Sequence, residues 1–276
     1  VSALFHGFEI RSQLAEGYPR NLAKIISERR VETLRDRAFY VIGKANELIA
    51  NSTYTKHILE GFNPSAPIHV SGCGAGELLH GPVIDGRVPG QIVYVGRLVE
   101  NKRVDRLIDI VAASDALSAV IIGEGPERDK LQKKASVLPE GKVVLTGAVD
   151  EARKWQYLAR ADAVALLSEP NDDLGQVEGF GIALLEATMA GCIAVSSGTG
   201  GMTDVVTNDE TGIILAPHLS AKEAASRLLS RLSSAGQRQA MLGRAREQIE
   251  TRYNWNSIAR QRTVRWQQEM AGRSNG

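Results

Sequence analysis

The chain is predicted to be an α/β protein built on a parallel sheet, and three observations lead there. From Gln91 onward, short β-branched runs alternate with helical segments of about 10–15 residues, the pattern of βαβ units. The run at residues 192–195 is apolar throughout, as a strand covered on both faces must be. Glycine-containing loops follow strand after strand: Gly96-Arg97, Gly123-Glu124-Gly125, Thr146-Gly147 and the loop before Gly179. Open parallel sheets bind ligands beyond the carboxyl ends of their strands, so all four loops should share one functional edge.

The 276 residues suffice for one large domain or two modest ones. Hydrophobic content of 43% and charged content of 24% are those of an ordinary globular protein. A net charge of +1 gives no basis for bulk nucleic-acid binding, and no nucleic-acid partner is expected. Cys73 and Cys192 form neither a disulfide framework nor a metal cluster, which fits a reducing, cytoplasmic compartment. No apolar run approaches the roughly 20 residues that cross a bilayer. His57, His69, His80 and His218 lack metal-ligand spacing, and no metal is expected.

In chain order, residues 1–5 read as a strand entering the His6-Gly7 loop, and the strand at the very start suggests an N-terminus missing upstream. Residues 11–37 are polar, loop plus helix; residues 39–42 fit either strand or helix; residues 45–50 are apolar enough for a buried strand. Asn51-Ser52 supply cap chemistry to a helix over 53–60. Pro64 and Pro67 precede a strand at 68–70 and the glycines Gly72, Gly74 and Gly76, and residues 79–89 read as a linker.

Strands are then expected at 92–95, 119–122, 142–145, 163–167, 193–196 and 212–215. Helices are expected at 105–113, 126–135 (opened by Pro126), 151–161, 182–190, 202–207 and 221–233.

The densest chemistry lies in Glu178-Gly179-Phe180-Gly181-Ile182-Ala183-Leu184-Leu185-Glu186. Gly179 and Gly181 permit a tight turn and close approach of a ligand. Residues from Ile182 on have helix-forming composition, and Gly191 stands where a helix C-terminal glycine belongs. The N–H groups of Phe180, Gly181, Ile182 and Ala183 therefore form an anion site at a helix N-terminus, between two carboxylates able to accept hydroxyls. Arg97 adds a planar fork and Lys102 a mobile point charge, a pair suited to a diphosphate. Ser197-Gly198-Thr199-Gly200-Gly201 is open between an anion cradle and a packing turn.

This Glu-x7-Glu pattern with its trailing Glu186-Ala187-x-x-Ala190-Gly191 resembles that of the retaining glycosyltransferases of family 4, which have the GT-B fold. Gly96-Arg97-Leu98 with Lys102-x-x-Asp105-x-Leu107-Ile108 is similar to the family's diphosphate-binding segment, and Gly123-Glu124-Gly125-Pro126 to the one beside the nucleotide. The resemblance covers residues 88–265 well and 1–76 loosely. It implies two Rossmann-like domains: residues 1–88 as the remainder of an acceptor-side domain and linker, 89–252 as a complete donor domain, and 253–276 as a helix crossing back. Trp255 resembles the tryptophan that opens that helix, whose Arg260, Arg262, Arg265, Val264 and Trp266 fit a packed amphipathic helix or a membrane-surface one.

Carried over residue by residue, the resemblance puts Arg97 and Lys102 on the donor diphosphate. Glu178 falls on the sugar hydroxyls, Glu186 on the ribose, Val149 near the base, and His6 beside the reacting carbon. The implied activity is metal-independent transfer of a hexose from a nucleotide-diphosphate sugar to a glycan, lipid or small-molecule acceptor, with peripheral membrane contact open. Departures are Asp204 where the family has Glu, and Gly74-Ala75-Gly76 where it has Gly-Val-Asp; Asp172-Asp173 is the nearest imitation of an Asp-x-Asp metal motif. A nucleotide-sugar-binding fragment without turnover and a sugar-nucleotide epimerase of the same fold are the rival readings.

Overall fold

The computed structural model describes residues 2–5, 38–75, 86–171 and 176–274, with 269–274 described by backbone alone. The expectations on His6, on residues 11–37, on most of the linker and on Asp172-Asp173 lie outside the described residues.

Two parallel sheets carry the fold. The first has three strands in the order β1 (Ser2–Phe5), β2 (Glu47–Ala50) and β3 (Ile68–Val70). Residues 38–44 are helical, which resolves the strand-or-helix choice there. Helix α1 (Thr53–Glu60) starts where its cap chemistry places it: the Ser52 side chain accepts the Thr55 N–H at 3.1 Å. Such a cap contributes about 1 kcal/mol.

The second sheet has six strands. In chain order these are β4 (Gln91–Val95), β5 (Ser118–Ile122), β6 (Val143–Gly147), β7 (Ala163–Leu166), β8 (Ile193–Ser196) and β9 (Ile213–Ile214). They lie side by side as β6-β5-β4-β7-β8-β9, all pairs parallel. This doubly wound order reverses between β4 and β7, so the crevice beyond those two strands is the topological binding position. Alternation explains why the strands are apolar on both faces. Ile92 and Tyr94 join one core cluster with Ile121 and Ala165, while Val93 joins a second with Val120, Val164 and Leu158.

The covering helices are α2 (Val104–Ala112), α3 (Arg128–Ala135), α4 (Glu151–Arg160), α5 (Ile182–Met189), α6 (Ala221–Leu232), α7 (Ala235–Arg252) and α8 (Trp255–Ser274). Several expectations need correction. Helix α3 begins at Arg128, because Pro126-Glu127 form a turn whose Glu127 N–H bonds Leu98 O at 3.1 Å. The helix expected at 202–207 is a short 3-10 turn, Gly200–Asp204. Strand β9 keeps only Ile213 and Ile214 of the expected four residues. Helix α7 has no counterpart among the expected elements; its buried face is thin, consisting of Met241, Ala245 and Ile249.

The end of the chain returns to the first sheet. Trp266 Nε1 and Arg265 Nη1 each donate to the buried Glu47 carboxylate at 3.3 Å, and Ser2 Oγ donates at 3.0 Å. The ring of Trp255 lies directly on Gly74, and Tyr253 O accepts the Ala75 N–H at 2.7 Å. The junction is thus built without the family's Asp. Asp204 contributes as well, its carboxylate accepting the Thr53 N–H at the start of α1 at 2.7 Å.

Burial pushes the Glu47 pKa up, but the hydrogen bonds from Trp266, Ser2 and Arg265 and the nearby His69 outweigh it, leaving the carboxyl below its ordinary value. A depressed folded pKa stabilises the fold above the unfolded pKa, and that stability is lost as pH falls through the folded value. Glu47→Gln is therefore expected to cost about 1–3 kcal/mol at pH 7. Urea titrations of the two proteins should converge as pH falls below about 4.

Candidate functional site

The loop after β4 is held from below and from one side. Tyr94 is fully buried and its hydroxyl donates to Arg97 O at 2.7 Å. Burial, and secondarily the Glu178 charge, push its phenol pKa far above the ordinary value, so Tyr94 acts as a neutral donor. From the side, Leu98 N–H bonds Glu124 O at 2.8 Å and Gly96 N–H bonds Ile122 O at 3.0 Å. A Cβ on Gly123 would lie 1.8 Å from Gly96 O, so the Gly-x-Gly segment lets the second loop lie against the first. The Arg97 side chain is exposed and makes no ion pair among the described residues.

The 3-10 turn Glu100–Lys102 then delivers Lys102 to the loop after β7. Its ammonium pairs with Glu178, 76 residues away, in a hydrogen-bonded ion pair. The two side chains retain only 20% and 15% of their exposure, so the pair is partly desolvated. Arg103 fixes this approach. It adopts the left-handed conformation (φ 50°), and its guanidinium bridges Asp105 at 3.3 Å and Glu169 at 2.5 Å. Glu169 N–H also bonds Asn101 O at 2.8 Å, tying the two loops through the backbone.

Glu178 has a second neighbour, Ser168 Oγ at 3.4 Å. The Ser168 carbonyl accepts from Ser197 Oγ at 2.5 Å and Thr199 Oγ1 at 2.7 Å. The glycine cluster that follows is a packing turn. A Cβ on Gly201 would lie 1.9 Å from Gly179 O, and Gly201 N–H bonds Glu178 O at 2.8 Å. Its backbone therefore braces the Glu178 loop.

Gly181 caps α5 with φ 93°, and Leu184 N–H closes the first turn on Gly181 O at 2.9 Å. The N–H groups of Ile182 and Ala183 are the first-turn donors that an α-helix leaves to an anion. The Phe180 ring, by contrast, is core: it is buried edge-on against Tyr253 with centroids 5.2 Å apart. Glu186, one turn into α5, receives Lys154 Nζ from α4 at 2.8 Å. Val149 lies in the loop between β6 and α4, its side chain packed on the core cluster of Val93 and Leu158.

The fold thus brings Gly96, Arg97, Lys102, Gly123, Glu178, Gly181, Ile182, Ala183 and Glu186 to the strand-end edge, most of them around the β4–β7 crevice. Sequence reasoning missed Tyr94, Arg103, Ser168, Glu169 and Lys154. Only Glu151-x-x-Lys154 carried a local signal, an i,i+3 ion pair on a helix. Among the described residues no group of three His, Cys, Asp or Glu side chains converges as a metal site. The arrangement offers two cations and a helix terminus for an anion, with two carboxylates for hydroxyls.

A doubly wound sheet with this strand-end site, beside a second parallel sheet, is the GT-B type of α/β fold. Residues 88–248 match the family model of the glycosyl transferases group 1, and the chain belongs to that family. It is similar to a glycogen synthase of Mycobacterium tuberculosis, 33% identical over 182 residues, covering 62% of this chain and 41% of the relative. It is also similar to a GDP-mannose-dependent alpha-(1-6)-phosphatidylinositol dimannoside mannosyltransferase of the same species. That match is 38% identical over 122 residues and covers 43% of this chain and 30% of the relative. The chain spans less than half the length of these curated relatives.

Among solved structures, sucrose-phosphate synthase from Thermosynechococcus elongatus superposes with a TM-score of 0.73 at 20% identity, over 98% of this chain and 68% of that one. Anabaena Alr3699/HepE in complex with UDP and glucose gives 0.70 at 19% identity, over 96% and 71%.

Proposed function

We propose that this chain binds a nucleotide-diphosphate sugar in the β4–β7 crevice and transfers its hexose, with retention, to an acceptor hydroxyl, as a member of family 4. The observation that carries the reading is the meeting of Lys102 with Glu178 in front of α5, with Arg97 exposed in the loop after β4. Similarity to group 1 relatives that use GDP-mannose, and to folds with bound UDP, supports a nucleotide-linked donor.

In this reading the diphosphate lies on the Ile182 and Ala183 N–H groups, and Arg97 and Lys102 meet its outer oxygens. As the bond from the anomeric carbon to the diphosphate oxygen breaks, negative charge grows on that oxygen. Preorganised cations and N–H dipoles stabilise it more than they stabilise the bound substrate. The acceptor hydroxyl forms the new bond and its proton leaves with the diphosphate. Glu178, released from Lys102, accepts sugar hydroxyls, and Glu186 accepts those of the ribose. Because side chains and a helix terminus supply the charge, the proposed transfer is metal-independent. We assign residues 89–252 as the donor domain, and place His6 near the reacting carbon from the family pattern. Peripheral membrane contact and a glycan, lipid or small-molecule acceptor belong to the same proposal, as does a reducing, cytoplasmic setting, in keeping with two buried free thiols.

The test is thermal stability with UDP, GDP and ADP in wild type and Arg97→Ala. A ligand at 100 times its Kd adds about 2.7 kcal/mol, a rise of several degrees for a chain of this size. One nucleotide should raise the wild-type Tm and leave Arg97→Ala nearly unmoved. Equal response of both proteins would remove Arg97 from the donor site, and no response of either to any nucleotide would overturn the crevice as that site.

A further inference from the structure

We infer that Lys154 is a positioning residue for nucleoside recognition, holding the Glu186 carboxylate in the orientation that selects a ribose; this rests on the donor-site reading above. Helix α4 follows the Gly147–Asp150 loop assigned to the base, and α5 opens at the diphosphate cradle. In that reading the nucleoside runs from the one place to the other along α4 and α5, and the Lys154 side chain links these two helices through Glu186. Its Nζ lies 2.8 Å from Glu186 Oε1 and 2.7 Å from Glu151 Oε1.

Lys154 is 12% exposed, against 69% for Glu151, so the ammonium is the enclosed member of the triad. Burial works against its charge, but the two carboxylates outweigh burial and raise its pKa. Glu151 is itself held, accepting Trp155 Nε1 at 2.9 Å, and the Lys154 ammonium lies 5.4 Å from the Trp155 ring centroid. The contacts run from the exposed Glu151 through the enclosed Lys154 to Glu186, which keeps 25% of its exposure. Only Oε1 of Glu186 is engaged by Lys154; Oε2 has no hydrogen bond or ion pair among the described residues. A carboxylate pinned at one oxygen presents the other in one direction. The vicinal hydroxyls of ribose are the part of a nucleotide that donates to such a group.

The experiment measures Kd by calorimetry for the nucleoside diphosphate that stabilises the protein best, and for its 2′,3′-dideoxy counterpart. Wild type, Lys154→Met, Lys154→Arg and Glu186→Gln are compared. Wild type should prefer the ribose form by roughly tenfold or more, the value of hydrogen bonds to a charged group. Lys154→Met should cut that preference to about threefold while binding the dideoxy form as wild type does, and Lys154→Arg should restore most of it, since Arg keeps the charge on Glu186. Full preference in Lys154→Met, or equal weakening of both ligands, overturns the proposal and leaves Lys154 a structural ion pair. Full preference in Glu186→Gln, or no nucleotide bound by wild type, overturns the donor-site reading and the proposal with it. If Lys154→Met does not fold, Lys154→Gln replaces it and is read the same way.

Discussion

Replacing Lys102 by alanine is expected to lower turnover of a nucleotide-diphosphate sugar about 10²–10³-fold, the usual consequence of removing one donor from a preorganised charge-stabilising site. The reason lies in what Lys102 does without a donor. Its ammonium is bonded to Glu178, and both side chains are mostly withdrawn from water. In the proposed function donor binding parts them, since that reading puts the cation on the diphosphate and the carboxylate on the sugar. The pair keeps both groups in place and charge-neutral until then. Among the described residues, alanine at 102 leaves the Glu178 carboxylate with only the Ser168 hydroxyl, at 3.4 Å. Stability should fall as well, because the partly desolvated Glu178 is left without its cation. Single-turnover kinetics on Lys102→Ala, Glu178→Gln and the double variant decide the matter. Separate roles in binding diphosphate and sugar predict that the double variant is at least as impaired as either single one. A double variant that recovers activity, or Lys102→Ala within twofold of wild type, would reduce the contact to a structural ion pair.

How far this site was legible in the sequence depends on the range of the signal. The parallel sheet was legible because both faces of β4, β5 and β7 are apolar, a pattern written in consecutive residues. Strand order was not written anywhere, yet once the strands form βαβ units the handedness of crossovers leaves few arrangements. Arg97, Lys102 and Glu178 stood out because glycines mark the loops near them, and Glu186 because a helix start precedes it. The roles expected of all four came from the family resemblance. Their partners did not stand out. Lys154 reads as one more charge on a polar helix until α4 and α5 pack, and Tyr94 reads as one more core aromatic until its hydroxyl meets Arg97 O. Such pairings belong to tertiary structure, and residues 32 positions apart share no local pattern. Helix α7 escaped for a simpler reason. Three buried positions among eighteen residues give too weak a periodicity to separate from a polar loop.

The glycine cluster after β8 packs its backbone on the Glu178 loop. Gly201→Ala should destabilise the protein by about 1–3 kcal/mol, the cost of forcing a methyl group into packed structure. It should also weaken nucleotide binding. A Cβ at 201 would stand 1.9 Å from Gly179 O and 2.9 Å from Phe180 N, so the strain falls on the backbone between Glu178 and the α5 N-terminus. No flexible side chain is available there to yield. The loop that carries Glu178 would have to move, and the first-turn N–H groups with it. Gly243→Ala in α7 is the matched control. Nothing lies within 4 Å of its Cβ position, and its backbone is helical. Alanine there should gain about 0.5–1 kcal/mol from helix propensity and leave nucleotide affinity unchanged. Urea unfolding and calorimetry on both variants read stability and affinity separately. If Gly201→Ala loses stability but keeps wild-type affinity, the glycine cluster supports the fold alone and the Glu178 loop is held by Lys102 and Ser168 without it.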